Sequence, residues 1–240
     1  MFALGVETGD SRATRDADLI IAIDGPSGAG KSTLAKKLAE QLGFIYLDTG
    51  AMYRALALKI LRQGVDLADD QKLAELVNTT AVDLQCDRAE LKVLLDEKNV
   101  ASEIRTPAVS QMASKASALK IVRDRMLDLQ RRQGQRGSVV AEGRDIGTVV
   151  FPDAQVKIFL SASAAERARR RCAELRAAGQ PVDLDATLRE IEERDKRDSE
   201  RTLAPLQKAQ DALVIDSSNS TADEVAARVL AEIRMKQNEI

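Results

Sequence analysis

A glycine-rich segment near the start of the chain constrains its fold more than any other feature. Residues 19–23 are apolar and lead directly into Gly25-Pro26-Ser27-Gly28-Ala29-Gly30-Lys31-Ser32-Thr33, after which a helical pattern begins. This order of strand, loop and helix is typical of a phosphate-binding loop, in which glycines let the backbone turn its N–H groups inward and the helix N-terminus adds further donors. We therefore expect residues 25–33 to hold the phosphates of a nucleoside triphosphate, with Lys31 at the β- and γ-phosphates and the Ser32 hydroxyl on Mg²⁺.

The composition excludes several kinds of chemistry. The chain has no histidine, which removes histidine-based acid–base catalysis, Ser-His triads and histidine-ligated metals. Phosphoryl transfer is little affected by the absence of histidine, because in that reaction the protein mainly positions the reactants and neutralises charge with Lys, Arg and Mg²⁺. The composition thus favours a phosphotransferase among enzymes.

The alternation of apolar runs and helical patterns predicts an α/β fold with a mostly parallel sheet covered by helices on both faces. Strands are predicted at residues 19–23, 44–47, 138–141, 156–160 and 212–215. Helices are predicted at 32–42, 51–61, 108–132, 164–177, 184–196 and 222–235. Thr106 with Pro107, and Thr221 with Glu224, have the spacing of helix N-terminal caps.

Residues 64–105 do not continue this alternation of predicted strands and helices. Residues 82–86 and 91–95 are two short strand patterns joined by a polar turn at 87–90, which predicts an antiparallel hairpin inserted beside the parallel core.

Arginines are concentrated in two segments near the C-terminal end. The first holds Arg167, Arg169, Arg170, Arg171 and Arg176. In the second, Arg194, Arg197, Asp198 and Arg201 are spaced to share one helical face. Charged helix faces are usually just solvated, but guanidinium groups near a phosphate loop suit bidentate phosphate binding. We favour a functional interpretation of both segments.

Two further motifs follow predicted strands. Asp48-Thr49-Gly50 with Tyr53 and Arg54 comes after the second strand, where it could also be a helix cap with a salt bridge. Glu142-Gly143-Arg144-Asp145 comes after the third strand, where phosphate-loop proteins often carry a carboxylate that orients the waters of the metal. Glu142 is the candidate for that role, and Arg144 beside Asp145 could alternatively be a surface ion pair.

Together these motifs resemble the bacterial cytidylate kinases. The resemblance rests on the phosphate loop, residues 48–54, the stretch from Glu142 to Pro152 that reads EGRDIGTVVFP, and residues 193–198, and it extends over about residues 19–235. It implies the fold of a P-loop nucleoside monophosphate kinase, with a five-stranded parallel sheet, an inserted nucleotide-binding subdomain and a lid. The implied core covers about 19–63, 106–160 and 203–235, the insert about 64–105, and the lid with its arginine-rich segment about 161–202.

The resemblance also implies roles for particular residues. Arg54, Arg144 and Arg201 would hold the phosphate of CMP or dCMP; Ser114, Arg123 and Asp145 would face the cytosine; Arg194 and Asp198 would contact the sugar. Thr49 and Tyr53 complete the implied acceptor site. Lys31, Arg144 and Arg194 are the candidate catalytic residues, and Arg167, Arg170 and Arg171 would bind the ATP phosphates from the lid. Ser32 would hold Mg²⁺, with Glu142 acting on it through water; Glu142 stands where many relatives have aspartate.

Hydrogen-bond chemistry agrees with these assignments. Cytosine presents an amino donor beside ring acceptors, which suits the Asp145 carboxylate and the Ser114 hydroxyl on one side and the Arg123 guanidinium on the other. Uracil reverses this pattern, so an Asp145 carboxylate would reject it.

Two alternatives stay open: a small-molecule kinase of the shikimate type, and a phosphate-loop switch or ATPase subunit. The insert and the segment 194–201 count against the first, and the lack of an Asn-Lys-x-Asp motif counts against a GTPase switch.

The remaining expectations come from charge and hydropathy. A formal net charge of −2 gives no reason to expect nucleic acid as a partner, and no apolar run is long enough to span a membrane. Residues 1–18 are charged and are expected to form a flexible leader rather than a signal peptide. We expect a cytoplasmic monomer in which Cys86 and Cys172 are free, buried thiols.

Overall fold

The computed structural model describes residues 18–87, 90–177 and 179–237. In chain order its elements are β1 (Ile20–Asp24), α1 (Lys31–Leu42), β2 (Ile45–Asp48), α2 (Thr49–Gln63), α3 (Asp70–Thr79), β3 (Val82–Asp87), β4 (Glu90–Leu95), β5 (Lys98–Asn99), α4 (Pro107–Ala116), α5 (Lys120–Gly134), β6 (Val139–Gly143), β7 (Val156–Ser161), α6 (Ala164–Ala177), α7 (Leu184–Glu200), β8 (Leu213–Asp216) and α8 (Ala222–Gln237). A single π-helical turn, Ile146–Val150, follows β6.

The central sheet has five strands in the order β2-β6-β1-β7-β8, and every neighbouring pair is parallel. This confirms the predicted α/β class and all five predicted strands. Successive residues of β1 face opposite layers: Ile21 and Ile23 belong to the core on the α1 and α8 side, whereas Ala22 belongs to the core on the α2 and α5 side. Both faces of the sheet are therefore buried, as a parallel sheet requires.

The insert contains a separate three-stranded sheet in the order β3-β4-β5. The pairing of β3 with β4 is antiparallel, with Val82 opposite Leu95 and Leu84 opposite Val93, which confirms the predicted hairpin strands. The predicted turn at 87–90 includes residues 88 and 89, which lie outside the described residues. The short third strand was not predicted, because two residues carry no alternating pattern.

The predicted helix at 108–132 is wrong in one respect, because the structure divides it into α4 and α5. Leu119 has extended backbone angles (φ −86°, ψ 131°) and its N–H bonds to the Ala116 carbonyl, which closes a tight turn. The Ser117 hydroxyl donates to the Ser114 carbonyl at 2.9 Å, so a serine side chain competes with the continuing helix ladder. Apolar periodicity continues across this break and conceals it.

Helix caps account for several element boundaries. Thr106 accepts from the Val109 N–H at 3.3 Å, and Thr221 and Glu224 form the reciprocal bonds of a capping box, as predicted. Helix α3 was not predicted; it begins at Asp69, whose carboxylate accepts from the Lys72 N–H at 3.1 Å.

Two other expectations concern cysteine and the membrane. Cys172 is a free, buried thiol on α6, as expected, and the Cys86 side chain lies outside the described residues. Across the described ranges no helix is long and apolar enough to cross a membrane.

The core on the α1 side generates a stability prediction. Leu38 of α1 is fully buried, so Leu38→Ala should lower the free energy of unfolding by about 3 kcal/mol through lost apolar burial and a residual cavity. The neighbouring Lys37 is partly exposed and pairs with the exposed Asp223, so Lys37→Ala should cost less than about 0.5 kcal/mol. Urea unfolding of both variants checks this; equal losses would contradict the described packing of α1.

Candidate active site

The candidate site lies at the carboxyl ends of three adjacent strands, β2, β6 and β1. Because neighbouring parallel strands end at the same edge of a sheet, the loops after them converge there. The phosphate loop follows β1, Asp48 ends β2 and Thr49 begins α2, and Arg144 and Asp145 follow β6. The motifs found separately in the sequence are thus brought to one edge.

The phosphate loop has the backbone that its glycines predict. Gly25, Gly28 and Gly30 have φ values of 150°, 79° and 93°, which side-chain-bearing residues rarely adopt. A Cβ at Gly25 would lie 1.9 Å from the Leu160 carbonyl oxygen, so the loop is packed directly on β7.

Lys31 lies inside this loop. Its ammonium donates to the Pro26 carbonyl at 2.7 Å, and the side chain is almost fully buried. Burial, followed by the positive charge of Arg144, lowers the pKa of Lys31 well below its ordinary value. An anion bound in the loop would relieve both effects, so the site favours the binding of phosphate.

Glu142 is a buried carboxylate near the end of β6. It accepts a hydrogen bond from the Tyr46 hydroxyl at 2.8 Å. Burial, followed by the nearby Asp48, raises the pKa of Glu142, while the positive charge of Lys31, and then hydrogen bonds from Ser32 and Tyr46, oppose that rise. A carboxylate in this environment is stabilised by a further nearby cation, and the Ser32 hydroxyl beside it could supply a second oxygen to such a cation.

A complete metal cage is not built from side chains. Within the ranges that the structure describes, no group of three or more Cys, Asp or Glu residues could hold a metal ion. The protein would therefore supply only part of the coordination of Mg²⁺, through Ser32 and through water beside Glu142. Phosphate oxygens of the nucleotide would supply the rest, which is how Mg²⁺ is usually bound.

Asp145 lies between two arginines. It forms a buried ion pair with Arg123 and a second pair with Arg201, whose nearest nitrogen is 3.7 Å away. Burial raises the pKa of Asp145 and the arginines, Arg123 first, oppose this. The predicted base-reading carboxylate is therefore held in a charged, enclosed setting.

Ser114 and Arg123 are connected through the turn between α4 and α5. Arg123 donates to the Ser117 carbonyl at 3.3 Å, and the Ser117 hydroxyl donates to the Ser114 carbonyl. The Ser114 hydroxyl is buried and has no hydrogen-bond partner among the described residues. Such a group gains a bond when a polar ligand arrives.

The residues predicted to contact sugar and phosphate are also brought together. Asp198 accepts from Arg144 at 2.9 Å and lies 4.0 Å from Arg194. Burial, then the charge of Arg144, lowers the pKa of Arg194 to about 10. Arg144, directly after β6, thus forms one charged cluster with Arg194 and Asp198 of α7.

The motif at the end of β2 forms the helix cap and the salt bridge that its sequence also suggested. Asp48 caps α2 by accepting from the Ala51 N–H at 2.7 Å and also pairs with Arg54 at 3.2 Å. Thr49 is committed to the Glu142 carbonyl at 2.7 Å, so its hydroxyl links β2 to β6. Tyr53 is enclosed near Arg123, Asp145 and Arg201, and burial raises its pKa to about 12.

Arg167 joins α6, the first helix of the predicted lid segment, to the phosphate loop. Its guanidinium donates to the Ser27 carbonyl at 3.1 Å, to the Ala162 carbonyl at 2.9 Å and to Asp195 at 2.6 Å. It lies at the loop as predicted, but here it contacts loop backbone.

The other two predicted lid arginines differ in position. Arg170 donates to the Ser217 carbonyl at 2.6 Å, and the Ser217 hydroxyl donates to the Ala29 carbonyl at 2.9 Å. Arg171 pairs with Glu174 on its own helix and is not joined to the loop by these bonds.

Sequence reasoning missed three residues of the site. Tyr46 and Ser217 contact partners 96 and 188 positions away, and Asp24 contacts residues more than 120 positions away. Only Asp24 had a local signal, an aspartate directly before the first loop glycine.

Comparisons with known proteins agree with the resemblance. The family model described as Cytidylate kinase matches residues 21–235. A cytidylate kinase from Pelotomaculum thermopropionicum is 51% identical over 220 residues, covering 91% of this chain and 97% of its own length. One from Citrifermentans bemidjiense is 49% identical over 89% of this chain and 91% of its own, and one from Carboxydothermus hydrogenoformans is 48% identical over 92% and 99%.

Asp24 generates a pH prediction. Burial raises its pKa from 3.8 to about 6, so the folded state retains a proton that the unfolded chain has already released between these values. The free energy of unfolding should therefore fall as the pH rises from 4 to 6, with Asp24 contributing a loss of about 2 kcal/mol over this range. Urea unfolding of wild type and Asp24→Asn across this range isolates the contribution. The wild type should lose more stability than the variant, and parallel profiles would contradict the assignment.

Proposed function

Because the chain belongs to the cytidylate kinase family, we propose that it transfers the γ-phosphoryl group of ATP to CMP and dCMP, by direct in-line transfer with Mg²⁺. The single observation that carries the proposal is that the phosphate loop and the charged cluster around Asp145 follow adjacent strands. A donor phosphate and an acceptor nucleotide can therefore meet at one edge of the sheet.

Asp145, Ser114 and Arg123 are proposed to select cytosine. The carboxylate and the partnerless hydroxyl would accept from the exocyclic amino group, and the guanidinium would donate to the ring acceptors. With uracil the carboxylate would face a carbonyl oxygen, which leaves a buried acceptor unpaired.

Arginines are proposed to hold the acceptor phosphate. Arg54, Arg144 and Arg201 each already pair with a carboxylate at the site, so a phosphate would replace or share a partner that is in place. Arg194 and Asp198 offer a donor and an acceptor one helical turn apart, which suits sugar hydroxyls. Deoxycytidine retains a hydroxyl for this contact, which supports dCMP as a second acceptor.

The transfer itself needs charge neutralisation more than proton transfer. A phosphate oxygen of CMP would attack the γ-phosphorus in line, and it is already ionised at neutral pH, so a chain without histidine can catalyse the step. Lys31, Arg144 and Arg194 are proposed to neutralise the developing charge, with Arg167, Arg170 and Arg171 approaching from the lid. When bound, Mg²⁺ would neutralise charge on the β- and γ-phosphates; Ser32, and Glu142 through water, would hold it.

An acceptor panel tests the proposal. ADP formation from ATP should be rapid with CMP and dCMP and slow with UMP, AMP, dTMP, shikimate or no acceptor. Preference for shikimate would replace the proposal with a small-molecule kinase, and acceptor-independent ADP formation would replace it with an ATPase. Omission of Mg²⁺ should abolish the reaction.

Lys31→Ala should lower kcat for CMP at least about 10³-fold, because it removes a positive charge from the phosphate loop. Lys37→Ala on the same helix removes an exposed charge and is the control, with turnover close to wild type. A folded Lys31→Ala variant with normal turnover would contradict the phosphate-loop assignment.

Asp145→Ala should reduce discrimination between CMP and UMP, since the carboxylate pairs with an amino group that only cytosine has. The ratio of kcat/KM values should shift by about 1–3 kcal/mol. Asp145→Asn should shift it at least as far, because its amide can donate to the uracil carbonyl. If both variants keep the wild-type ratio, Asp145 does not recognise the base.

A further inference from the structure

We infer that Asp24 is a positioning residue for the acceptor: its buried carboxylate holds the turn after β6, so that the side chains of Arg144 and Asp145 remain available to the nucleotide. The inference rests on the proposed function for the identity of the acceptor. The geometry that carries it is independent of that function.

Asp24 is the last residue of β1 and only 4% exposed. One carboxylate oxygen accepts from the Ile146 N–H at 2.8 Å, and the other accepts from the Gly147 N–H at 2.8 Å. Both oxygens are therefore used on two successive backbone groups that lie more than 120 positions away in the chain.

These two N–H groups begin the π-helical turn. The Asp145 carbonyl accepts from Val149 at 2.9 Å and from Val150 at 3.1 Å, so the turn's own ladder starts later than Ile146 and Gly147. The first N–H groups of any helical segment need partners from outside its ladder, and a negative charge is favoured there.

An aspartate directly before a helical turn would ordinarily cap that turn itself. Asp145 stands at this position but makes no such bond, and its carboxylate instead pairs with Arg123 and Arg201. Because Asp24, on a neighbouring strand, supplies the cap, the Asp145 carboxylate is available to pair with those arginines and to bind a base.

The same bonds connect the two halves of the site. Asp24 pairs with Gly143 in the β1–β6 register and directly precedes Gly25 of the phosphate loop. Fixing Ile146 and Gly147 to Asp24 therefore fixes the backbone that carries Arg144 and Asp145 relative to the donor loop. Both described hydrogen bonds of Asp24 come from neutral backbone N–H groups. Because burying a carboxylate without a salt bridge lowers the stability of the fold, we expect a functional reason for the presence of Asp24.

Asp24→Asn tests this with little change of shape. The amide oxygen can still accept one N–H, but the amide nitrogen meets the second N–H donor to donor. Val229→Ala is the control, because Val229 is fully buried on α8 in the opposite core and should lower stability without reaching the acceptor turn. Steady-state kinetics with CMP, UMP and ATP are measured for both variants, together with thermal unfolding and amide hydrogen exchange over residues 144–150.

For Asp24→Asn we expect the KM for CMP to rise at least about tenfold, with a smaller rise in the KM for ATP. The CMP/UMP ratio of kcat/KM should fall and exchange over 144–150 should accelerate. Val229→Ala should lower the melting temperature and leave that ratio and that exchange unchanged. Equal rises in both KM values with an unchanged CMP/UMP ratio would overturn the inference, as would unchanged exchange. Hydrogen exchange over residues 144–150 tests the inference even if the wild-type chain does not phosphorylate CMP. That failure would overturn the proposed function and leave this inference to the exchange result.

Discussion

Buried arginine–carboxylate pairs near the carboxyl end of β6 are the interaction on which the proposed acceptor site depends. Asp145 is held between Arg123 and Arg201, and Asp198 lies beside Arg144 and Arg194. Burying such pairs is a poor way to gain stability, because desolvation offsets most of their attraction. Their concentration at one edge of the sheet is therefore best explained by a charged ligand that they receive.

The parallel sheet is what allows two charged regions to cooperate. Since β1 and β6 are neighbours and run in the same direction, the phosphate loop lies beside the consecutive residues Arg144 and Asp145 at one edge of the sheet. Hydrogen bonds between distant residues then fix their relative position: Thr49 and Tyr46 bond to Glu142, and Asp24 bonds to the turn at Ile146. The site is thus built on strand ends rather than on long loops.

Sequence alone predicted the parts of the fold that have local causes. The apolar strands, the glycine loop and the capped helix starts follow from short patterns, and each is present. The break between α4 and α5 was missed because apolar periodicity continues through it. Asp24 was missed because its partners lie more than 120 residues away, a relation that a single sequence does not encode locally. The individual roles of Arg54, Ser114 and Asp198 rested on resemblance, and they remain predictions.

The central claim is that the cluster around Asp145 receives a cytosine nucleotide. The most direct test is thermal unfolding of the wild-type chain with CMP or UMP, without any donor. A ligand that binds only the folded state stabilises it by about 2.7 kcal/mol at a hundred times its Kd. CMP should therefore raise the melting temperature by several degrees in a saturable manner, and UMP at the same concentration should raise it far less. Equal shifts with both nucleotides, or none with either, would contradict the account.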